Sequence, residues 1–252
     1  MPFTFSHPAL VVPLLRYRRR WPWLSATGLV AGSVAPDFEK LFRLKLASGH
    51  SHTVASMFYF SCPVGLVLAL VYHGLVRQPL LGHLPALLHQ RLNRWQRGSW
   101  LIFARQHSLG VLASIWLGAA SHLLWDSFTH QNAFLTQYLP WLERVVVLPG
   151  YHVYTYSFLA LLSSVGGSLA IARAVWQLPN QPTSAPPTAA ALRRYWGLVS
   201  LLTVALLGAW MAATPVLSRS TVAIAALSAA LLGLLLVSAS FQLRQRLANL
   251  SC

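Results

Sequence analysis

The sequence predicts an all-α fold, a polytopic integral membrane helix bundle with about six membrane-embedded helices, and three observations carry that reading. Hydrophobic residues fill 56% of the 252 positions. Charged residues fill only 9%, where an ordinary soluble domain carries roughly 25%. The apolar residues also fall into runs of about 18 or more, the length a helix needs to cross about 30 Å of hydrocarbon. A soluble globular protein is excluded.

Taken in order, the chain opens with a short apolar stretch from Pro8 to Leu15 and a basic turn of Arg16, Arg18, Arg19 and Arg20. A second short apolar stretch follows at 21–36. Neither stretch spans comfortably alone. They predict two partial helices whose backbone is shielded by neighbouring helices, as irregular backbone at membrane depth requires. Ser33-Val34-Ala35 resembles a small-residue cleavage site, but about 20 residues precede the apolar part, so retention is expected.

Five longer runs, 54–76, 108–128, 154–176, 196–217 and 221–243, are each long enough to cross at about 1.5 Å per residue. Between the first two, Pro79 to Trp100 mixes Leu with Arg and Trp and reads as an amphipathic surface helix. The segment 177–195, with Pro179, Pro182, Pro186 and Pro187, reads as a linker that cannot continue a helix. It divides the chain into a membrane domain at 1–176 and a two-helix hairpin at 196–252. Every histidine and every acidic residue precedes it.

The net charge is +15, from 19 Lys+Arg against 4 Asp+Glu. These cations sit mainly between apolar runs, as topology-setting charges do, so anionic lipid headgroups rather than nucleic acid are the expected partner. Segment 77–107, with Arg77, Arg91, Arg94, Arg97 and Arg105 and no acid, is expected on the cytoplasmic side of the inner membrane. The C-terminus, with Arg244 and Arg246, is expected on the same side. Loops 129–153 and 37–53 then face outward. Cys62 and Cys252 make neither a disulfide framework nor a metal-ligand spacing. Oligomeric state is left open.

Chemistry concentrates in Ser121-His122-Leu123-Leu124-Trp125-Asp126-Ser127-Phe128-Thr129-His130. His122, Asp126 and His130 recur every four residues, so successive members rotate only about 40° and form one polar stripe on an apolar helix. Ionisable residues inside a membrane cost at least about 2.5 kcal/mol on insertion scales and are read as functional by default. The plainer alternative is an Asp–His pair that fixes helix packing, with His130 at the water interface.

Two further elements are Ala35-Pro36-Asp37-Phe38-Glu39 and Gly49-His50-Ser51-His52-Thr53. Each alone reads as turn chemistry or a short His tract. The arginine-derived topology, however, gathers Asp37, His50, His52, His122, Asp126, His130 and His152 on one side, and the N-terminal hairpin adds His7. Asp126, His122 and Asp37 are the candidate catalytic residues. The candidate metal ligands are His7, Asp37, His50, His52, His122, Asp126 and His130. Imidazole and carboxylate donors suit Zn²⁺ first, with Mn²⁺ or Fe²⁺ as alternatives. One ion or a two-metal centre bridged by Asp126 is expected, because His122 and His130 lie about 12 Å apart along an ideal helix. Arg43, Lys45 and Arg144 are candidates for neutralising a substrate phosphate.

These motifs, with the opening Met1-Pro2-Phe3-Thr4-Phe5-Ser6-His7-Pro8 and Gly32-Ser33-Val34-Ala35-Pro36-Asp37, resemble the bacterial DUF4184 family of membrane proteins over most of residues 1–175. Their order is also similar to that of the YdjM-type (DUF457) family, described as membrane-bound metal-dependent hydrolases. That similarity implies His7, Asp37, His52, His122 and Asp126 as metal ligands. The chain departs at Glu39 and Lys40, where that family carries Asp-His, leaving His50 or His130 as the substitute imidazole.

The expected function is metal-dependent hydrolysis of a lipid or lipid-linked ester or phosphoester. The alternatives are an ion- or proton-coupled transporter that uses the His–Asp stripe as a relay, and a scaffold in which the stripe only holds helices together.

Overall fold

The computed structural model describes residues 3–45, 49–96, 98–181 and 185–250. Arg97, Pro182 and Cys252, placed above in a basic loop, a linker and the C-terminus, lie outside them. The fold is a polytopic helical membrane protein whose only described strands form one hairpin. Five helices are long and apolar enough to cross a membrane, and the short N-terminal helix makes the sixth embedded element. The chain divides into two compact units.

The first unit comprises residues up to Phe38, Gly49–Ala69 and Ala104–Ala174. It opens with two 3₁₀ runs, Thr4–Leu10 and Val12–Arg19, where the sequence predicts a partial α-helix. Pro8 and Pro13 explain the difference, because each lacks the N–H that an α-helical ladder would use. Helix α1 (Ala26–Val34) begins at an N-cap serine, whose Ser25 hydroxyl accepts the Gly28 N–H at 3.0 Å. Pro36 then tightens the chain into a 3₁₀ turn, Ala35–Asp37. Helix α2 (Phe38–Arg43) follows, mostly in the second unit.

The first long span, Met57–Gly82, is interrupted twice. A π-helical turn at Met57–Ser61 precedes α3 (Cys62–Val71), and a second at Tyr72–Val76 precedes α4 (Arg77–Gly82). Each widened turn lies just before a proline, Pro63 or Pro79, whose ring crowds the carbonyl four residues back. Helices α5 (Ala86–Leu92) and α6 (Trp100–Gln106) follow, the first within the stretch where the sequence predicts a single surface helix. Pro85 caps the first of them and Gly98, at φ +96°, breaks the chain before the second.

Helix α7 (Ser108–Thr129) carries the polar stripe, and its axis is set by α1. A Cβ at Gly32 would run into the Ile115 carbonyl, and one at Gly118 into the Leu29 carbonyl. Small residues at these crossings let the two backbones approach, which is how membrane helices pack without a hydrophobic driving force. The Ser114 hydroxyl accepts the Ser25 N–H at 2.9 Å and donates to the Gly110 carbonyl at 2.7 Å, closing the start of that interface.

Loop 130–154 holds structure the sequence leaves unread. It contains α8 (Phe134–Tyr138) and an antiparallel hairpin of β1 (Val145–Leu148) and β2 (Tyr151–Tyr154), with Val145 opposite Tyr154. Helix α9 (Thr155–Trp176) completes the first unit's spans.

The second unit is built on α10 (Ala189–Ala213) and α11 (Arg219–Leu250). Helix α10 starts inside the segment read as linker, at Thr188, whose hydroxyl caps the Ala191 N–H at 3.2 Å. It stops at Ala213, before the expected 217, because Pro215 disfavours helical geometry at its predecessor. Tyr195, Val199 and Val237 form the buried seam between α10 and α11.

Candidate metal centre

The close α1–α7 crossing is what brings the first acid to the stripe. Asp37, turned inward by the Pro36 corner, lies at the C-terminal end of α1 and is 1% exposed. His122 and Asp126, one turn apart on α7, are also buried. His52 arrives from the loop before the first long span. That loop is held by a reciprocal cap, in which the Thr53 N–H reaches the Ser56 hydroxyl at 3.0 Å and the Ser56 N–H reaches the Thr53 hydroxyl at 3.1 Å.

One donor atom from each of Asp37, His52, His122 and Asp126 lies within 4.8 Å of the other three. His52 Nε2 and His122 Nε2 each stand 3.3 Å from Asp126 Oδ2, and 3.6 and 3.8 Å from Asp37 Oδ1. Bonds of 2.0–2.1 Å at tetrahedral angles place ligand atoms about 3.3 Å apart, so this spacing fits a single divalent ion.

The outer atoms of three of these side chains are already fixed. His122 Nδ1 donates to the Ser33 carbonyl at 2.7 Å, because a carbonyl can only accept, and this leaves a lone pair on Nε2. The Ser51 hydroxyl lies 2.8 Å from His52 Nδ1, and the Thr4 hydroxyl donates to Asp37 Oδ2 at 2.7 Å. Such outer partners fix ring orientation and ligand basicity in metal sites. Neither oxygen of Asp126 and not Nε2 of His122 makes a hydrogen bond. Among the described residues, the ion-pair neighbours of Asp126 are four imidazoles, with no Lys or Arg.

His7 and His130 flank the other carboxylate oxygen. His7 is 2% exposed, stacks on His122 at 3.8 Å, and holds Nε2 3.6 Å from Asp126 Oδ1. His130 Nδ1 lies 3.5 Å from that oxygen and 3.2 Å from the Asp126 carbonyl. Both belong to the surroundings of Asp126 and neither to the group of four.

A family model described as a domain of unknown function, DUF4184, matches residues 1–239. The chain belongs to the DUF4184 family. The match runs through Asp37, His52, His122 and Asp126 and continues through most of α11, so the apolar C-terminal helices are part of the DUF4184 unit. No curated protein and no solved structure matches the chain.

Of the remaining residues singled out from sequence, His50 is exposed and contributes its backbone carbonyl to the Tyr59 hydroxyl at 2.7 Å. His152 is exposed on β2, opposite Val147. Arg43 pairs with Glu39 at 2.7 Å on its own helix. Lys45 and Arg144 are exposed. Sequence reasoning missed the supporting roles of Thr4, Ser33 and Ser51. Thr4 lies three residues before His7, the same face of a 3₁₀ helix, which is the signal that marks it.

Proposed function

We propose that this DUF4184 protein is a membrane-bound metal-dependent hydrolase, acting on a lipid or lipid-linked ester or phosphoester. The observation that carries the reading is the convergence within 4.8 Å of donor atoms from Asp37, His52, His122 and Asp126, three of them buried, with the outer atoms of Asp37, His52 and His122 held by Thr4, Ser51 and the Ser33 carbonyl. Two buried carboxylates side by side are costly unless a cation compensates them. Among the described residues, those that pair with Asp126 are imidazoles and not Lys or Arg, which favours a bound ion as that cation. A purely structural Asp–His pair would instead be expected to close its hydrogen bonds on itself.

Asp37, His52, His122 and Asp126 would hold the ion. A bound divalent ion supplies Lewis-acid polarisation of a carbonyl or phosphoryl oxygen and a water that ionises near neutral pH. The protein's own contribution is orientation: Thr4 and the Ser33 carbonyl hold Asp37 and His122 in place, and burial excludes bulk water from all ligands except His52. The His52 side chain is 17% exposed and marks the solvent entrance. His7 and His130, beside the second oxygen of Asp126, are positioned to hold a second ion or to steer substrate. The inner-membrane location and outward-facing centre remain as the arginine distribution predicts them.

The test is metal content by mass spectrometry of detergent-purified protein. Wild type is expected to carry one to two zinc, manganese or iron ions per chain, and His122→Ala and Asp126→Asn to lose them. A well-folded wild type that takes up none after reconstitution would end the hydrolase reading.

A further inference from the structure

Beside the centre, and within the same compact unit, runs a groove of about 410 Å³ between the first 3₁₀ run, α7 and α9. Its walls include His7, Leu10, Trp125, Leu162, Gly166 and Ala170. The floor is a close approach: a Cβ at Gly167 would meet the Ser6 carbonyl at 2.8 Å, and the Phe3 N–H donates to the Ser164 hydroxyl at 2.8 Å. The volume falls within the range of small-molecule sites, and the lining is largely apolar.

We infer that this groove seats one hydrocarbon tail of a membrane lipid, with the lipid's polar end at His7. The inference rests on the hydrolase reading for its meaning, since it names the substrate class as a lipid presented sideways from the bilayer. Three features fix the occupant. The lining of α9 runs from Leu159 to Ala170, eleven residues or about 16 Å at helical rise. That is close to half of the roughly 30 Å hydrocarbon thickness, the depth of one leaflet. The groove is also continuous with a lipid-facing surface, since Leu161, Val165 and Leu169 of the same span are each more than half exposed. One of its lining side chains, finally, adjoins the centre, for His7 stacks on His122.

Gly166 supplies the means of testing this. A Cβ there meets nothing within 4 Å, so Gly166→Leu would project into the groove without disturbing backbone, and leucine is the better helix former. Gly208 on α10 is equally open and lies in the other unit, so Gly208→Leu is the matched control. The probe is phosphatidylglycerol carrying a diazirine midway along one acyl chain, in nanodiscs holding the full chain, with adducts mapped by mass spectrometry.

Adducts are expected to concentrate on Leu10, Leu162 and Ala170. Their yield should fall at least fivefold in Gly166→Leu and in a second plug, Ala170→Trp, and stay unchanged in Gly208→Leu. Labelling spread evenly over the exposed faces of α9 and α10, or unmoved by both plugs, would overturn the inference. So would efficient disulfide cross-linking of Gly166→Cys in native membranes, which would make a second copy of the chain the occupant. Metal content is read on the same samples. Asp126→Asn is expected to lose metal and keep tail labelling, so the groove and the hydrolase reading fail separately.

Discussion

Two pairs of helices in this molecule approach through small residues, and they use the closeness oppositely. At α10–α11, Gly233 lets α11 reach Thr203 and Val199, and the polar groups at the seam close on each other. The Tyr195 hydroxyl meets Ser238 at 2.7 Å, and Tyr195 stacks on His83 at 4.5 Å. At α1–α7, the closeness is spent on carbonyls: the end of α1 offers Ser33 O to His122, and the following turn offers Asp37. There one donor atom from each of Asp37, His52, His122 and Asp126 gathers within 4.8 Å of the others, and His122 Nε2 and the Asp126 oxygens make no hydrogen bond. A seam that satisfies its polar groups internally is a stability element. One that fixes outer atoms of its polar side chains and gathers their other atoms within 4.8 Å of one another could hold an ion.

The sharpest break of this comparison is steric. Gly32→Ala puts a Cβ into the Ile115 carbonyl, which is backbone and cannot yield. The expected cost is about 3 kcal/mol or more, at the upper end of overpacking, with loss of the centre. Gly233→Ala meets Thr203 Oγ1 at 2.9 Å, a side chain that can rotate, and should cost less than half as much. Thermal unfolding of the two variants in detergent decides; equal losses would mean that the two seams are equivalent.

Next in size is the ligand itself. Asp126→Asn should weaken metal binding more than 100-fold, beyond the 10–100-fold typical of outer-shell changes, while the protein still folds. Retained affinity would remove Asp126 from the centre. Thr4→Val, which deletes only the donor to Asp37 Oδ2, should weaken binding by about 10–100-fold without altering the ligand set. An unchanged affinity would make Thr4 a bystander. The smallest effect belongs to the other seam: Tyr195→Phe should cost about 0.6 kcal/mol, the average for membrane hydrogen bonds, and leave metal content untouched. A change in metal content there would dissolve the distinction between the seams.

Much of the fold was legible because a membrane span announces itself in composition. The runs at 108–128 and 154–176 match α7 and α9 to within a residue at each end. Boundaries failed where local chemistry competes with hydropathy. The Thr188 cap and the alanines after it start α10 earlier than its apolar run, and Pro215 stops it sooner. The 3₁₀ runs at Thr4–Arg19 were misread because proline spacing outweighs apolar content there. The hairpin at Val145–Tyr154 was missed, being too short and too exposed to show a buried face.

At the centre, the sequence by itself determined which residues are expensive: two acids and five imidazoles in or beside apolar helices, with His122 and Asp126 forced onto one face by a four-residue spacing. Charge alternation further put Asp37 and His52 on their side. Only the tertiary structure decided which histidines join, separating His52, two residues away, from His50. It also set how these side chains point, because orientation depends on partners distant in sequence: Ser33 for His122, and Thr4 for Asp37. A helical period fixes direction around one axis. The distance between axes is set by what can fit between them, and here that is the absence of a side chain at Gly32 and Gly118.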